Sequence, residues 1–483
     1  MPAVTWKSRA SAVQFHDILY KTFRDILYTP ARRVGNRNAR ERSARRISFS
    51  ALCEDRRGRL KLCARSELGG SSPSVTWGRG PLPAIIAKVA TTAETLSRVA
   101  TRPTWAEVSL ATLRQNFCTV QKHVGASVTV CAVVKADAYG HGAVECSRAL
   151  EAEGARWLGV TSLDEAIPLR EAGIQSNILL MTGFWRGEES EILRLRLTPT
   201  VWEPWHIESL EKAAVALGVG RHAVHLKVDT GMGRLGVSME ELPAVLQALK
   251  AAGRVALEGL STHLASSEIM DAPSVADQER KFEQAARMVG KAGFHPSFVH
   301  IANTGAVISR KETWISKSGK SMVRPGVALY GYYLPFQRAG REVSGGTLRL
   351  PVKPVLTWKT RILSMRNFAA NQPLGYGGTY VTMAPAHVAV LPVGYADGYN
   401  RQLSNQGRVI VREHYAPIVG KISMDLTLVD VTGIPNVSVG DEVILLGTEE
   451  SLSVDAREHA ELAHSTPYEI LCNISKRVPR RYS

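Results

Sequence analysis

Val128-Thr129-Val130-Cys131-Ala132-Val133-Val134-Lys135-Ala136-Asp137-Ala138-Tyr139-Gly140-His141-Gly142 is an apolar, β-branched run that stops on a lysine and passes into a glycine-bounded turn. The run has the length of a fully buried strand, and the helical spacing after it completes a βα unit. The unit recurs outward along the chain. Apolar runs fall at 128–134, 157–160, 178–181, 197–201, 224–228, 257–262, 298–301 and 322–324. Between them, stretches such as 163–172 and 239–252 carry apolar residues at three- and four-residue intervals with charges between. Eight strands with helices outside predict a closed (β/α)8 barrel, an α/β fold. After Gly331 the helical signal fades, and 355–446 reads as alternating strands broken by Gly and Pro, with Gly440-Asp441 as a turn. Helical spacing returns at 454–464, before a basic end at 477–481. The expected organisation is a basic, mostly disordered extension (1–103), a barrel (104–345) and a C-terminal mainly-β domain (346–483).

Composition narrows the function classes. The 483 residues, 45% of them hydrophobic, suffice for two ordinary cores. The net charge of +16 suggests a polyanion-binding protein, but residues 1–103 hold +13 of it and residues 104–483 only +3. Nucleic acid and membrane are therefore not expected partners. The leader's Arg32, Arg33, Arg37, Arg40, Arg42, Arg45 and Arg46 sit in Ser- and Gly-containing sequence without sustained periodicity, apart from short helical patches at 15–27 and 82–100. This acid-poor composition matches an organellar transit peptide, and a plain upstream extension is the simpler reading. Cys53, Cys63, Cys118, Cys131, Cys146 and Cys472 form no C-x-x-C pair and no framework spacing. Neither a metal site nor disulfides are expected, which fits a reducing, cytoplasmic compartment. No apolar stretch approaches the length of a membrane span.

In a (β/α)8 barrel the reactive groups stand where strands end. Here the first run ends at Lys135, the fifth at Lys227 and Asp229, the sixth at His263, the seventh at Asn303-Thr304 and the eighth at Arg324-Pro325-Gly326. A lysine after a strand is usually a solvated charge. At the mouth of an apolar barrel its amine is expected to be depressed in pKa, as Schiff-base chemistry with an aldehyde cofactor requires.

The segment Ala132 to Gly142 resembles the cofactor-lysine signature of alanine racemases. The likeness continues through His225-Leu226-Lys227-Val228-Asp229-Thr230-Gly231-Met232-Gly233-Arg234, Ser261-Thr262-His263 and Val323-Arg324-Pro325-Gly326. In the second domain it includes Gly375-Tyr376-Gly377-Gly378-Thr379-Tyr380, Gly394-Tyr395-Ala396-Asp397-Gly398-Tyr399 and Gly420-Lys421-Ile422-Ser423-Met424-Asp425. These lie in family order across residues 104–483. The resemblance implies a pyridoxal 5'-phosphate (PLP) enzyme that interconverts L- and D-alanine and supplies D-alanine for peptidoglycan. It implies that Lys135 holds PLP as an aldimine and serves as one of two bases. A proton removed from one face of Cα must return on the other, and the second base implied is Tyr376, whose phenol must be made unusually acidic to act near neutral pH.

Further roles follow from the same resemblance. Arg324 faces the cofactor's pyridine nitrogen and keeps it neutral, because a guanidinium does not release a proton in a protein. His263 lies against the ring and links Arg324 towards Tyr376. Arg234 contacts the phenolic oxygen and orients substrate carboxylate, and Lys227 is open to carbamylation. The phosphate sits with Tyr139, Asn303, Thr304, Gly326 and Val327, in keeping with the anion site barrels form after strands seven and eight. Met424, Asp425 and Tyr395 complete the substrate pocket and, with Tyr376, act across the interface of a homodimer. The chain departs from the pattern at Lys476, where many relatives have a phosphate-contacting tyrosine. A PLP-dependent decarboxylase of barrel-plus-β architecture is a rival reading, opposed by the Tyr-Gly-Gly-Thr-Tyr segment. A non-catalytic PLP-binding protein is another, opposed by the full second domain.

Overall fold

The computed structural model describes residues 102–314, 319–343 and 348–483, together with three short leader strands, Ser48–Glu54, Leu60–Arg65 and Val75–Thr76. The leader strands pair antiparallel in chain order. The extension expected to be mostly disordered thus contains a small sheet, and the patches read as helical at 15–27 and 82–100 lie outside the described residues. Residues 100–483 form one compact unit.

That unit opens with β1 (Thr104–Val108), followed by eight parallel strands: β2 (Thr129–Val133), β3 (Trp157–Val160), β4 (Asn177–Leu180), β5 (Leu197–Val201), β6 (His222–Lys227), β7 (Val255–Ser261), β8 (Phe298–His300) and β9 (Lys320–Val323). They pair in sequence, and β9 closes on β2 through Met322↔Thr129 and Val323↔Val130. All eight apolar runs became strands, shifted by two residues or fewer. The helices read at 163–172 and 239–252 appear as Leu163–Glu171 and Leu242–Ala251. The helix Leu110–Val124 starts where the Ser109 hydroxyl accepts the Thr112 N–H, and it buries Leu113, Phe117, Val120 and Val124, the i, i+4, i+7 face its spacing predicts. Inside the barrel Cys131, Trp157, Leu179 and Met322 pack together, so the barrel is filled.

The second domain carries β10 (Leu356–Arg361), β11 (Ser364–Phe368), β12 (Ala386–Leu391), β13 (Arg408–Val411), β14 (His414–Pro417), β15 (Thr427–Asp430), β16 (Glu442–Glu449), β17 (Leu452–Val454) and β18 (Arg480–Tyr482). One sheet runs β14-β13-β16-β10-β1-β18 with β17 on β16, and a second runs β11-β12-β15. The boundary expected at residue 104 needs revision. β1 pairs antiparallel with β10 and parallel with β18, so the chain lays one strand of the second domain before entering the barrel. The expected helix at 454–464 is shorter, Ala456–Leu462, and a further helix, Pro467–Cys472, packs against the turn that carries Lys135. Among the described residues no helix is long and apolar enough to cross a membrane, and no cluster of potential metal ligands occurs.

Candidate active site

A cavity of about 440 Å³ opens at the C-terminal ends of the barrel strands. Ten of the predicted residues line it: Lys135, Tyr139, Lys227, Arg234, His263, Asn303, Thr304, Arg324, Gly326 and Val327. The volume is that of a small-cofactor site. Four of these residues are cations, and Glu268 is the one carboxylate among the lining residues, so the cavity favours a ligand with phosphate and carboxylate groups.

Lys135 follows β2 on an unusual main chain. Ala136, Asp137, Ala138 and Tyr139 all lie in the left-handed region, with φ of +52° to +54°. None is glycine, and such a conformation costs about 1–2 kcal/mol per residue. Burial, followed by the nearby Arg234 charge, lowers the Lys135 amine below its ordinary value. At the end of β6, burial with Arg324 and Arg234 brings the Lys227 amine down to about 8.

Arg324 is buried and pinned by oxygens. Its Nη2 donates to the carbonyls of Thr262 (2.7 Å) and Ile301 (3.1 Å), and its Nη1 to the carbonyl of His300 (3.0 Å). Burial pushes its pKa down only to about 10, so it remains a cation at neutral pH. Nη2 also lies 3.4 Å from His263 Nδ1. Burial and four cations, Arg324 first, depress His263 to about 2. It is therefore neutral, and since arginine only donates, Nδ1 is the acceptor and the ring proton sits on Nε2. Behind Arg324, Nη1 also meets His300 Nδ1, and His300 Nε2 lies 2.9 Å from His225 Nδ1.

The cavity lining also brings a hydroxyl and main-chain amides together at Thr304, Gly326 and Val327. The Gly326 N–H donates to Thr304 Oγ1 at 3.0 Å. A Cβ on Gly326 would fall 2.2 Å from the Tyr139 hydroxyl, so only glycine lets the main chain approach this point. Asn303 caps the helix Thr304–Ser309 by accepting the Ala306 N–H at 3.0 Å. Lysine for Schiff-base attachment, a buried arginine, and a hydroxyl-and-amide cradle form a donor set that fits PLP.

The other four predicted residues are elsewhere. Tyr376, Tyr395, Met424 and Asp425 belong to the second domain, and none lines the cavity. Tyr376 is 71% exposed, Met424 53% and Tyr395 44%, and the Asp425 carboxylate pairs with Arg477 at 2.7 Å. Lys476 is also exposed and off the cavity wall. Conversely, Tyr468 and Cys472, on the helix Pro467–Cys472, line the cavity but were not singled out from sequence. Along the sequence that helix lies far beyond the last barrel strand, and its local signal is a proline at its first position. His300 was missed although it ends β8, where a search of polar strand termini would have found it.

Residues 108–334 match the family model of the alanine racemase N-terminal domain, and residues 355–482 that of its C-terminal domain. An alanine racemase of Halothermothrix orenii is 40% identical over 382 residues, covering 79% of this chain and 97% of the relative. The crystal structure of an alanine racemase from Streptomyces lavendulae matches with a TM-score of 0.71 and 32% identity, covering 80% of this chain and 98% of that one. That of Bartonella henselae, with covalently bound pyridoxal phosphate, matches with a TM-score of 0.67 and 28% identity, covering 79% and 100%.

Proposed function

Because this chain belongs to the alanine racemase family, we propose that its PLP-dependent interconversion of L- and D-alanine moves the Cα proton between Lys135 and Tyr376 of a second copy. The usual role of the family is to supply D-alanine for peptidoglycan. The observation that carries the two-copy reading is the division of the site. One chain collects the cofactor residues around its cavity and leaves Tyr376, Tyr395 and Met424 exposed.

When bound at Lys135, PLP supplies an electron sink that acidifies the Cα–H of the amino acid. Lys135, whose amine burial and Arg234 lower from its ordinary value, would take that proton on its own face. Tyr139, Thr304 and the N–H groups of Gly326 and Val327 would hold the phosphate, with Asn303 ordering the loop between them. Arg324 would present a fixed cation to the ring nitrogen, since its donors are already oriented by three carbonyls. His263, neutral with its proton on Nε2, can donate to a phenolate and so make the second copy's Tyr376 more acidic. Arg234 would orient the substrate carboxylate together with Met424, Asp425 and Tyr395 from that copy. Two phenols beside Cα leave room for a methyl side chain.

Lys227, at about 8, keeps enough neutral amine near pH 7 to attack carbon dioxide. The new N–C bond forms with loss of one proton, and the resulting anion lies beside Arg234. The mass of the native protein reads this carbamate directly. The cytoplasmic assignment is supported by the buried free thiols of Cys131 and Cys146, which suit a reducing compartment. The deciding test of the site is borohydride reduction and peptide mapping. The cofactor should be fixed on Lys135, and Lys135→Ala should lose racemisation by at least about 10⁴-fold. A reduced adduct on another lysine would contradict the assignment.

A further inference from the structure

Lys135 must aim its amine into the cavity from a main chain that its own neighbours disfavour, four left-handed residues without a glycine among them. Contacts beyond the turn hold its far end. Arg480 Nε donates to the Gly140 carbonyl at 2.9 Å, Asp137 Oδ1 accepts the Ala143 N–H at 2.7 Å, and the His141 ring donates to the carbonyls of Ala138 and Tyr139. At the lysine end, among the described residues, the side chain that reaches the turn is Glu165. Its Oε1 accepts the Ala136 N–H at 2.7 Å, the first peptide after Lys135. Its Oε2 accepts both the N–H (2.7 Å) and the hydroxyl (2.8 Å) of Thr161, the first residue after β3.

The sequence around Glu165 is spelled for a different job. Ser162-Leu163-Asp164-Glu165 has the pattern of a capping box, in which the glutamate would bond back to the Ser162 N–H and the serine would cap the helix. Neither bond forms. Ser162 makes no side-chain cap, and Glu165 spends both oxygens on the ends of two barrel strands. We propose that Glu165 is a positioning residue for Lys135, its carboxylate stapling the exits of β2 and β3 and fixing the peptide plane that aims the amine. This rests on Lys135 being the cofactor lysine. A misplacement of about 1 Å at a reacting group is enough to cost on the order of 10²-fold in rate. The carboxylate also lies close enough to favour the charged amine, opposing burial and Arg234.

Glu165→Gln separates these effects in the holoenzyme. An amide keeps one acceptor oxygen and turns a donor on N–H groups that need acceptors. The expected result is a kcat about 10- to 100-fold lower with the KM for alanine within about threefold, because carboxylate binding lies elsewhere. The pH limb set by the Lys135 amine should move to lower pH, and the visible band of the bound cofactor should broaden. Glu165→Asp, which keeps the charge but shortens the reach, should restore the pH limb and not kcat. Unchanged kcat and pH profile in Glu165→Gln would overturn the proposal. So would a loss that merely follows the folded fraction measured by circular dichroism, with normal kcat and spectrum in what remains folded. Peptide mapping of the same samples keeps the two readings apart: an adduct on Lys135 with normal kinetics defeats Glu165 alone, and an adduct on another lysine defeats the site beneath it.

Discussion

The barrel mouth and the exposed face of the second domain, proposed above as two halves of one site, are built in opposite ways. At the mouth, Arg324 is buried among main-chain carbonyls, Lys135 is held by an over-determined turn, and a single methyl at Gly326 would collide with Tyr139. On the other face, Tyr376 stands on a short turn between two left-handed glycines, Gly375 and Gly377, with most of its surface in solvent. A barrel supplies rigidity within one chain. On the proposed reading, the second domain offers groups that acquire their partners when a second copy covers them.

The largest effect that can break this comparison is Tyr376→Phe. Racemisation should fall by about 10² to 10⁴, the usual contribution of an acid–base group. Thermal stability should change little, since the substitution removes one hydroxyl from a side chain that is 71% exposed within its own chain and keeps the ring. Exchange of the Cα hydrogen with deuterated water should survive for one enantiomer alone, the one whose hydrogen faces Lys135. Equal loss for both enantiomers would mean that the two groups do not divide the faces of Cα between them.

A smaller effect concerns the cores beneath the two halves. His141 under the lysine turn and His459 in the second domain are both buried, and burial lowers each from 6.5 to about 4. The unfolded chain binds these protons from about pH 6.5 downward and the folded chain does not until about pH 4. Their contribution is thus complete above pH 6.5 and is lost as the pH falls to 4, on the order of 3 kcal/mol for each. Denaturant midpoints between pH 7 and 4 should show this slope, and His459→Gln should reduce it by about one proton. An unaltered slope in the variant would show that His459 titrates normally in the folded state.

The barrel was legible because eight buried strands leave eight apolar runs of the right length, and because polar residues at their ends mark its mouth. What escaped has physical reasons. The five residues of β1, buried at four positions, carry no alternation that would name a sheet, so its pairing with β10 and β18 had no signal. Ala136 to Tyr139 contain no residue that prefers positive φ, and the left-handed turn is braced from outside by Arg480 on the Gly140 carbonyl and by Glu165 on the Ala136 N–H. Glu165 itself reads as an ordinary first-turn acid of a helix. Tyr376 and Met424 are named by the family resemblance alone, since an exposed aromatic on a glycine-rich turn carries no chemistry in its pattern.

The most direct test of the divided site is to mix Lys135→Ala and Tyr376→Phe proteins, each inactive alone, under conditions where labelled chains are seen to exchange. If the site is shared across a two-fold interface, half the dimers become mixed, and each of these holds one intact site. About a quarter of the unmutated activity should then return. No recovery despite demonstrated exchange would place Lys135 and Tyr376 in the service of the same chain and contradict the account.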